Sequence, residues 1–132
     1  MPIGRVSLTD RRRIIFVDDE LHLLVGLAKR FAESRADWDI TYFQSAREAL
    51  SHYTSHRADA IVTDIIMPEM DGLELIAAIR QKDGATRIVA LTSDTNHRLA
   101  GVTSAATFIG ADKVLSKPVD FEVLVEALDD LL

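Results

Sequence analysis

The amino-acid sequence predicts an α/β protein built on one doubly wound parallel sheet of five strands, with five helices covering its two faces. Short runs of apolar and β-branched residues occur five times, and a stretch with helical spacing of apolar residues follows each of them. Strands that alternate with helices pair in parallel through right-handed crossovers. A closed barrel needs eight such units and about 250 residues, so five units in 132 residues favour the open sheet.

The predicted strands are short, and several of them end at polar residues. The run Ala60-Ile61-Val62-Thr63, for example, stops at Asp64. Apolar strands of this kind are typical of a sheet that is covered on both faces. The common order for such a sheet is flavodoxin-like, 2-1-3-4-5. The predicted strands cover residues 13–17, 38–43, 60–63, 87–91 and 113–115.

Helical periodicity and end signals place the helices at residues 20–34, 45–54, 73–82, 99–109 and 121–131. Ser45 is the predicted N-cap of the second helix, and Glu48 completes a capping box. Gly84 suits a left-handed stop for the third helix, and Gly110 closes the fourth. One apolar face of the first helix is predicted to comprise Leu21, Leu24, Val25, Ala28 and Phe31. A similar face on the fourth comprises Leu99, Val102, Ala106 and Ile109.

The amino-acid composition argues against several classes of function. The formal net charge of -6 argues against direct binding of nucleic acid. The absence of cysteine excludes disulfides, thiolate metal sites and cysteine nucleophiles. No apolar run approaches the roughly 20 residues that a membrane helix needs, and residues 1–13 lack a signal-peptide pattern. We expect a cytoplasmic protein with a leader at residues 1–11 and a single domain at residues 12–132.

Acidic residues follow two strands that are neighbours in the predicted order. Asp18 and Asp19 come directly after the first strand, and Asp64 ends the third. Ligands of open α/β sheets bind beyond the carboxyl ends of the strands, so these side chains are expected to converge in one crevice. Carboxylates held so close repel one another. Mg²⁺, which prefers oxygen ligands, would neutralise them, and the sequence therefore predicts a magnesium site.

The same crevice is suited to phosphoryl transfer. An aspartate carboxylate can act as a nucleophile and form an aspartyl phosphate, and Asp64 stands alone at its strand end, whereas the Asp18–Asp19 pair suits metal binding. Thr92 and Lys117 end the fourth and fifth strands, where they can donate hydrogen bonds to phosphoryl oxygens.

Four motifs in this order resemble those of the response-regulator receiver domains of two-component signal transduction. They are Val-Asp-Asp-Glu (17–20), Thr-Asp-Ile-Ile-Met-Pro-Glu-Met-Asp-Gly (63–72), Ala-Leu-Thr-Ser (90–93) and Gly-Ala-Asp-Lys-Val-Leu-Ser-Lys-Pro (110–118). The resemblance covers residues 12–132. Each motif alone is weak, but all four at the ends of successive core elements form a specific pattern.

The resemblance implies a role for each residue of the crevice. Asp64 would be the phosphoacceptor, Asp19 a direct Mg²⁺ ligand and Asp18 a ligand through water. The backbone carbonyl of Ile66 would complete the protein ligands of the metal. Thr92 and Lys117 would contact the phosphoryl group, and the peptide bond between Lys117 and Pro118 would be cis.

The resemblance also implies partners and a conformational response. The phosphoryl donor would be a histidine kinase or a histidine phosphotransfer protein. Phosphorylation would move Thr92 and change the face formed by the fourth helix, the fifth strand and the fifth helix, through which relatives often form homodimers. The chain would be a signalling module, not an enzyme with a separate substrate, although it would catalyse its own phosphorylation and dephosphorylation.

Three residues modify these expectations. Val114 occupies the position three before the lysine where the family usually has an aromatic residue, so an aromatic rotamer switch is not expected. Lys117 follows Thr92 by 25 positions, a longer separation than is usual in the family. Ile66 has no polar group on its side chain to hold an attacking water, which predicts slow self-dephosphorylation.

Three other functions share part of this pattern. A Mg²⁺-dependent phosphatase with an aspartyl nucleophile usually has Asp-x-Asp, but Ile65 and Ile66 follow Asp64 here. A flavodoxin-like electron carrier would need a Ser/Thr/Gly phosphate loop after the first strand, where this chain has acids. A receiver-like interaction module that is never phosphorylated remains open, and absence of Mg²⁺ binding would favour it.

Overall fold

A computed structural model describes residues 11–93 and 100–132, except for the side chains of residues 100–103 and 108. The five strands form one parallel sheet in the order β2-β1-β3-β4-β5, as predicted. The strands are β1 (Arg12–Val17), β2 (Trp38–Phe43), β3 (Ala60–Asp64), β4 (Arg87–Thr92) and β5 (Lys113–Ser116). The helices are α1 (Leu21–Ser34), α2 (Ala46–His56), α3 (Gly72–Lys82), α4 (Ala100–Ile109) and α5 (Phe121–Leu131). None of these helices, within the part of the chain described, is long and apolar enough to span a membrane.

The predicted elements differ from the observed ones mainly at their ends. Helix α2 continues to His56, two residues beyond its predicted end, and β4 and β5 each include one more residue. The Ser45 hydroxyl accepts a hydrogen bond from the Glu48 amide, as expected for the N-cap of α2. Leu99 and the side chain of Val102 lie outside the described residues, and so does the predicted leader up to residue 10.

Alternation along the strands divides the hydrophobic core into two layers. In β1, Ile15 and Val17 point to the layer beneath α2, α3 and α4. Ile14 and Phe16 point to the opposite layer, beneath α1 and α5. Successive side chains of a strand face opposite sides of the sheet, so a strand with helices on both faces must be apolar throughout. Burial of each large side chain contributes about 1.5–3 kcal/mol to the free energy of unfolding.

The predicted apolar face of α1 was partly wrong. The buried residues are Leu24, Leu27 and Phe31, which lie at spacings of three and four. Leu21 and Val25 are 53% and 60% exposed. Residues spaced i, i+3, i+4 cover a wide strip of the helix surface. The sheet packs against one side of this strip, next to Leu27, and leaves Leu21 and Val25 in solvent.

The left-handed stop predicted at Gly84 was also wrong. Helix α3 ends at an extended C-cap, Asp83, with φ −158° and ψ 116°. The left-handed glycine is Gly110 at the end of α4, with φ +141°. A Cβ atom at Gly110 would lie 2.7 Å from the Cγ atom of Arg80. Glycine is therefore required there by both backbone conformation and space.

Arg80 joins several elements at the amino ends of β4 and β5. Its guanidinium donates hydrogen bonds to the carbonyl oxygens of Gly110 and Thr86, and it pairs with Asp112 at 3.0 Å. Asp112 also accepts the backbone N–H of Ile88 at 2.8 Å. These contacts connect the ends of α3 and α4 to the beginnings of two neighbouring strands. Both charged side chains, which are only partly exposed, are thus paired and hydrogen-bonded.

Candidate functional site

The side chain of Asp64 lies at the carboxyl end of the sheet, where the neighbouring strand ends meet. Asp64 is the last residue of β3 and is 4% exposed. Pairing with β4 aligns it with Leu91, and the Ile65 amide continues the ladder by donating to the Leu91 carbonyl at 3.0 Å. The Thr63 hydroxyl donates to the Asp64 carbonyl at 2.9 Å. The backbone of the predicted nucleophile is therefore held by the sheet.

Gly72 fixes the return of the chain after Asp64. Its amide donates to the Ile65 carbonyl at 2.8 Å, and a Cβ atom at position 72 would lie only 2.2 Å from the Asp64 carbonyl oxygen. Only glycine allows the first turn of α3 to approach so closely. The Asp71 carboxylate caps the same helix by accepting the Glu74 amide at 2.9 Å. Helix α3 is therefore packed directly against the backbone of Asp64.

Asp18 and Asp19 approach Asp64 from the end of β1. One carboxylate oxygen from each of these three aspartates lies within 4.8 Å of the others. Asp18 is fully buried, and Asp19 is exposed. The backbone amide of Asp18 donates to Phe43 at 3.0 Å, while its Oδ1 accepts the Glu20 amide at 2.9 Å. The predicted metal ligands therefore form one cluster with both a buried and a solvent-facing member.

The ammonium group of Lys117 extends into this cluster. Its Nζ lies 2.6 Å from Asp18 Oδ2 and 3.2 Å from Asp64 Oδ2, and it donates a hydrogen bond to Asp64. The contact with Asp18 is a close ion pair that lacks hydrogen-bond geometry. The Lys117–Pro118 peptide bond is cis, as the resemblance implied. Thr92, at the end of β4, is 2% exposed, and its carbonyl accepts the Lys117 amide at 2.7 Å.

The concentration of charge changes the acidity of the site. Burial raises the pKa of Asp64, and the Asp18 and Asp19 carboxylates raise it further, while Lys117 opposes the change. Burial lowers the pKa of Lys117, but the Asp18 and Asp64 carboxylates outweigh burial and raise it overall. Lys117 is thus protonated at neutral pH. One lysine does not balance three carboxylates, so the site retains a deficit of positive charge.

Three polar atoms test whether a divalent cation and a phosphoryl group suit this site. Among the described residues, the buried side-chain oxygens and nitrogens without a hydrogen-bond partner are Asp18 Oδ2, Asp64 Oδ1 and Thr92 Oγ1. Native proteins rarely leave buried polar atoms unpaired, and exceptions are frequent at functional sites. Two of the atoms are carboxylate oxygens, which Mg²⁺ prefers. The third is a hydroxyl that can donate to an anion, so the residues present fit both groups.

The remaining predicted ligand, Ile66, lies two positions after Asp64. Its side chain is 53% exposed, which is unusual for isoleucine. The assignment of its backbone carbonyl to a metal remains a prediction. The structure gives a role to two residues that the motifs contain but to which no role was assigned: Gly72, and Glu20, whose Oε1 lies 3.8 Å from Lys117 Nζ. Gly72 ends the second motif and Glu20 ends the first.

Comparison with known proteins agrees with this fold. The family model described as the response regulator receiver domain matches residues 14–129. The transcriptional regulatory protein TrcR of Mycobacterium tuberculosis is 34% identical over 91% of this chain and 45% of its own length. The response regulator MprA of Mycolicibacterium vanbaalenii is 33% identical over 91% of this chain and 50% of its own length. The chain thus spans about half the length of these curated relatives.

Solved structures give the same result in three dimensions. The chemotaxis protein CheY4 of Vibrio cholerae superposes with a TM-score of 0.81 at 27% identity, covering 92% of this chain and 99% of that protein. A two-component response regulator of the LuxR family from Aurantimonas superposes with a TM-score of 0.78 at 30% identity, covering 92% and 84% respectively. The chain belongs to the response regulator receiver domain family of two-component signalling systems.

Proposed function

We propose that this protein accepts a phosphoryl group on Asp64, from the histidine of a histidine kinase or a histidine phosphotransfer protein, with Mg²⁺ bound by Asp18, Asp19, Asp64 and the Ile66 carbonyl. The observation that carries the proposal is the set of buried oxygens without a hydrogen bond at one edge of the sheet, on Asp18, Asp64 and Thr92. A cation and an anionic group bound together would satisfy all three.

The positions of the side chains support the following reaction. An oxygen of Asp64 attacks phosphorus in line with the leaving nitrogen of the donor histidine, so that an O–P bond forms as the N–P bond breaks. Lys117 and Thr92 donate to phosphoryl oxygens and stabilise their charge. Water later attacks the same phosphorus, which releases inorganic phosphate and restores Asp64. When bound, Mg²⁺ would neutralise charge on the carboxylates and the phosphoryl oxygens.

Several broader assignments belong to the same proposal. The receiver domain would comprise residues 12–132 after a leader at residues 1–11, in the cytoplasm, where a cysteine-free chain suits the reducing conditions. Phosphorylation would shift Thr92 and alter the α4–β5–α5 face, which would also be the surface for a homodimer. Val114, on β5, is partly buried against the core, so this response would proceed without an aromatic switch. The net charge of -6 supports a domain without direct contacts to nucleic acid or membrane.

The proposal is tested by intact mass after incubation with acetyl phosphate or phosphoramidate, with and without Mg²⁺. Wild type is expected to gain the mass of one phosphoryl group only when Mg²⁺ is present. Asp64→Asn should not gain it, whereas Asp39→Asn, which removes an exposed carboxylate from β2, should behave as wild type. Failure of wild type to gain mass or bind Mg²⁺ would favour an interaction module that works without phosphorylation.

A further inference from the structure

Lys117 has three acidic partners that differ in burial. Its Nζ lies 2.6 Å from Asp18, 3.2 Å from Asp64 and 3.8 Å from Glu20. The Asp18 and Asp64 side chains are 0% and 6% exposed, and that of Lys117 is 10% exposed, whereas Glu20 is 68% exposed. The lysine therefore sits between two buried carboxylates of the metal cluster and one carboxylate that reaches into solvent.

A divalent cation and this ammonium group compete for the same two carboxylates. Asp18 and Asp64 each supply an oxygen to the three-aspartate cluster, and both pair with Lys117. Two positive groups a few ångströms apart in a site screened from water repel strongly. Binding of a cation at the cluster thus requires Lys117 to leave Asp18. Among the described residues within ion-pair distance of Lys117, Glu20 is the acid outside the cluster.

Glu20 also stands apart from the other helix N-caps of the described chain. The side chains of Ser45, Asp71 and Asp120 each accept a backbone N–H of the helix that they begin. Glu20 begins α1 without a side-chain cap, and glutamate is a poor capping residue. Its carboxylate instead lies beside Lys117, where its long exposed side chain can follow the movement of the ammonium group.

We propose that Glu20 is a positioning residue that receives the ammonium of Lys117 when a divalent cation binds Asp18. In the metal-free site Lys117 occupies the carboxylates as an internal counterion. On metal binding it moves toward Glu20, which offsets the loss of its buried partners and keeps it at the mouth of the site, where a phosphoryl group arrives. This role of Glu20 rests on the proposed metal site.

The test is a double-mutant cycle in which Mg²⁺ affinity is measured by isothermal titration calorimetry. Glu20→Gln should weaken Mg²⁺ binding about twofold to fivefold, the range of a solvent-exposed ion pair. Lys117→Met, which keeps the apolar stem, should strengthen Mg²⁺ binding because the competing cation is removed. In the Lys117→Met background, Glu20→Gln should change the affinity little, since the residue acts through the lysine. Glu48→Gln, which removes one charge from the first turn of α2, serves as the matched control and should bind as wild type.

Three results would overturn the inference. The first is unchanged Mg²⁺ affinity in Glu20→Gln. The second is an equal weakening with and without Lys117, which would mean that Glu20 attracts the metal directly. The third is absence of Mg²⁺ binding in wild type, which would also remove the proposed metal site. Wild-type binding and phosphorylation of Asp64, together with a null result for Glu20→Gln, would reject the role of Glu20 alone.

Discussion

The two ends of the sheet hold similar charged groups, which have their hydrogen bonds at the amino end and lack some of them at the carboxyl end. At the amino end, Arg80 and Asp112 are paired, and their hydrogen bonds reach the ends of two helices and the beginnings of two strands. At the carboxyl end, Lys117 faces Asp18 and Asp64, and oxygens of both aspartates remain without hydrogen bonds. The first set of charges is satisfied by the protein itself, and the second is not.

This difference in hydrogen bonding distinguishes charged residues that stabilise the fold from charged residues that can bind a ligand. A partly buried pair whose hydrogen bonds are made is a fixed connection, and removal of one partner leaves the other without its counter-charge. A cluster with excess negative charge and unpaired oxygens is held in place by the surrounding fold and gains stability only when something binds. Removal of a charged group should therefore lower the free energy of unfolding at the amino end and raise it at Asp64, at the carboxyl end.

The largest expected effect comes from the backbone contact beneath the carboxyl end. Gly72→Ala should lower the free energy of unfolding by about 3 kcal/mol, because its Cβ would overlap the Asp64 carbonyl oxygen. Urea denaturation measures the change. Gly26→Ala is the matched control: nothing lies within 4 Å of its Cβ position in α1, so it should stabilise the protein by about 1 kcal/mol. Equal stability of the two variants would mean that α3 can shift away from Asp64 at little cost.

A somewhat smaller loss is expected at the amino end. Arg80→Met should lower the free energy of unfolding by about 2 kcal/mol, because it removes the guanidinium from Asp112 and leaves the Gly110 and Thr86 carbonyls without this donor. Arg30→Met removes an exposed ion pair to Glu122 and should cost less than about 1 kcal/mol. Thermal and urea unfolding of both variants gives the comparison. A loss at Arg80 no larger than that at Arg30 would contradict the structural role of the Arg80 network.

Substitution of Asp64 is expected to raise the free energy of unfolding. Its pKa is raised in the folded protein, so the folded state holds the proton more tightly and stability falls as pH rises through that pKa. Asp64→Asn removes this loss and should be more stable than wild type at neutral pH without metal. The difference should disappear below about pH 4, where the unfolded carboxyl group is also protonated. Unfolding in EDTA across this pH range measures it, and a gain that is independent of pH would reject the electrostatic explanation.

The smallest effect concerns the lifetime of the proposed phosphorylated state. Ile66→Asn should accelerate loss of the phosphoryl group about fivefold, because an amide can hydrogen-bond the attacking water and one such bond contributes about 1 kcal/mol. Intact mass followed over time after removal of the phosphoryl donor gives the rate. Ile66→Leu keeps an apolar side chain and should match wild type. An unchanged rate in Ile66→Asn would show that the exposed isoleucine does not limit access of water.

The sequence predicted the structure correctly where the polar residues at strand ends and the spacing of apolar residues indicate the same arrangement. Asp18 and Asp64 end apolar strands, and the order of strands and helices brings their ends together, so the fold and the acidic cluster were predicted correctly. The exposure of Leu21 and Val25 was not predictable, because it depends on how α1 is rotated against the sheet. The pairing of Arg80 with Asp112 was also hidden, since 32 positions separate these residues in the chain. Tertiary contacts decided all the features that local patterns missed.

The hydrogen bond from the Lys117 amide to the Thr92 carbonyl, at 2.7 Å, has a consequence for the evolution of this domain. It joins the two strand ends directly, although 25 positions separate the residues. The distance between these strand ends is therefore set by a direct backbone contact, which adds to the pairing of Thr92 with Ser116. Changes of sequence between β4 and α4 can alter what a partner protein recognises while the strand ends stay in place.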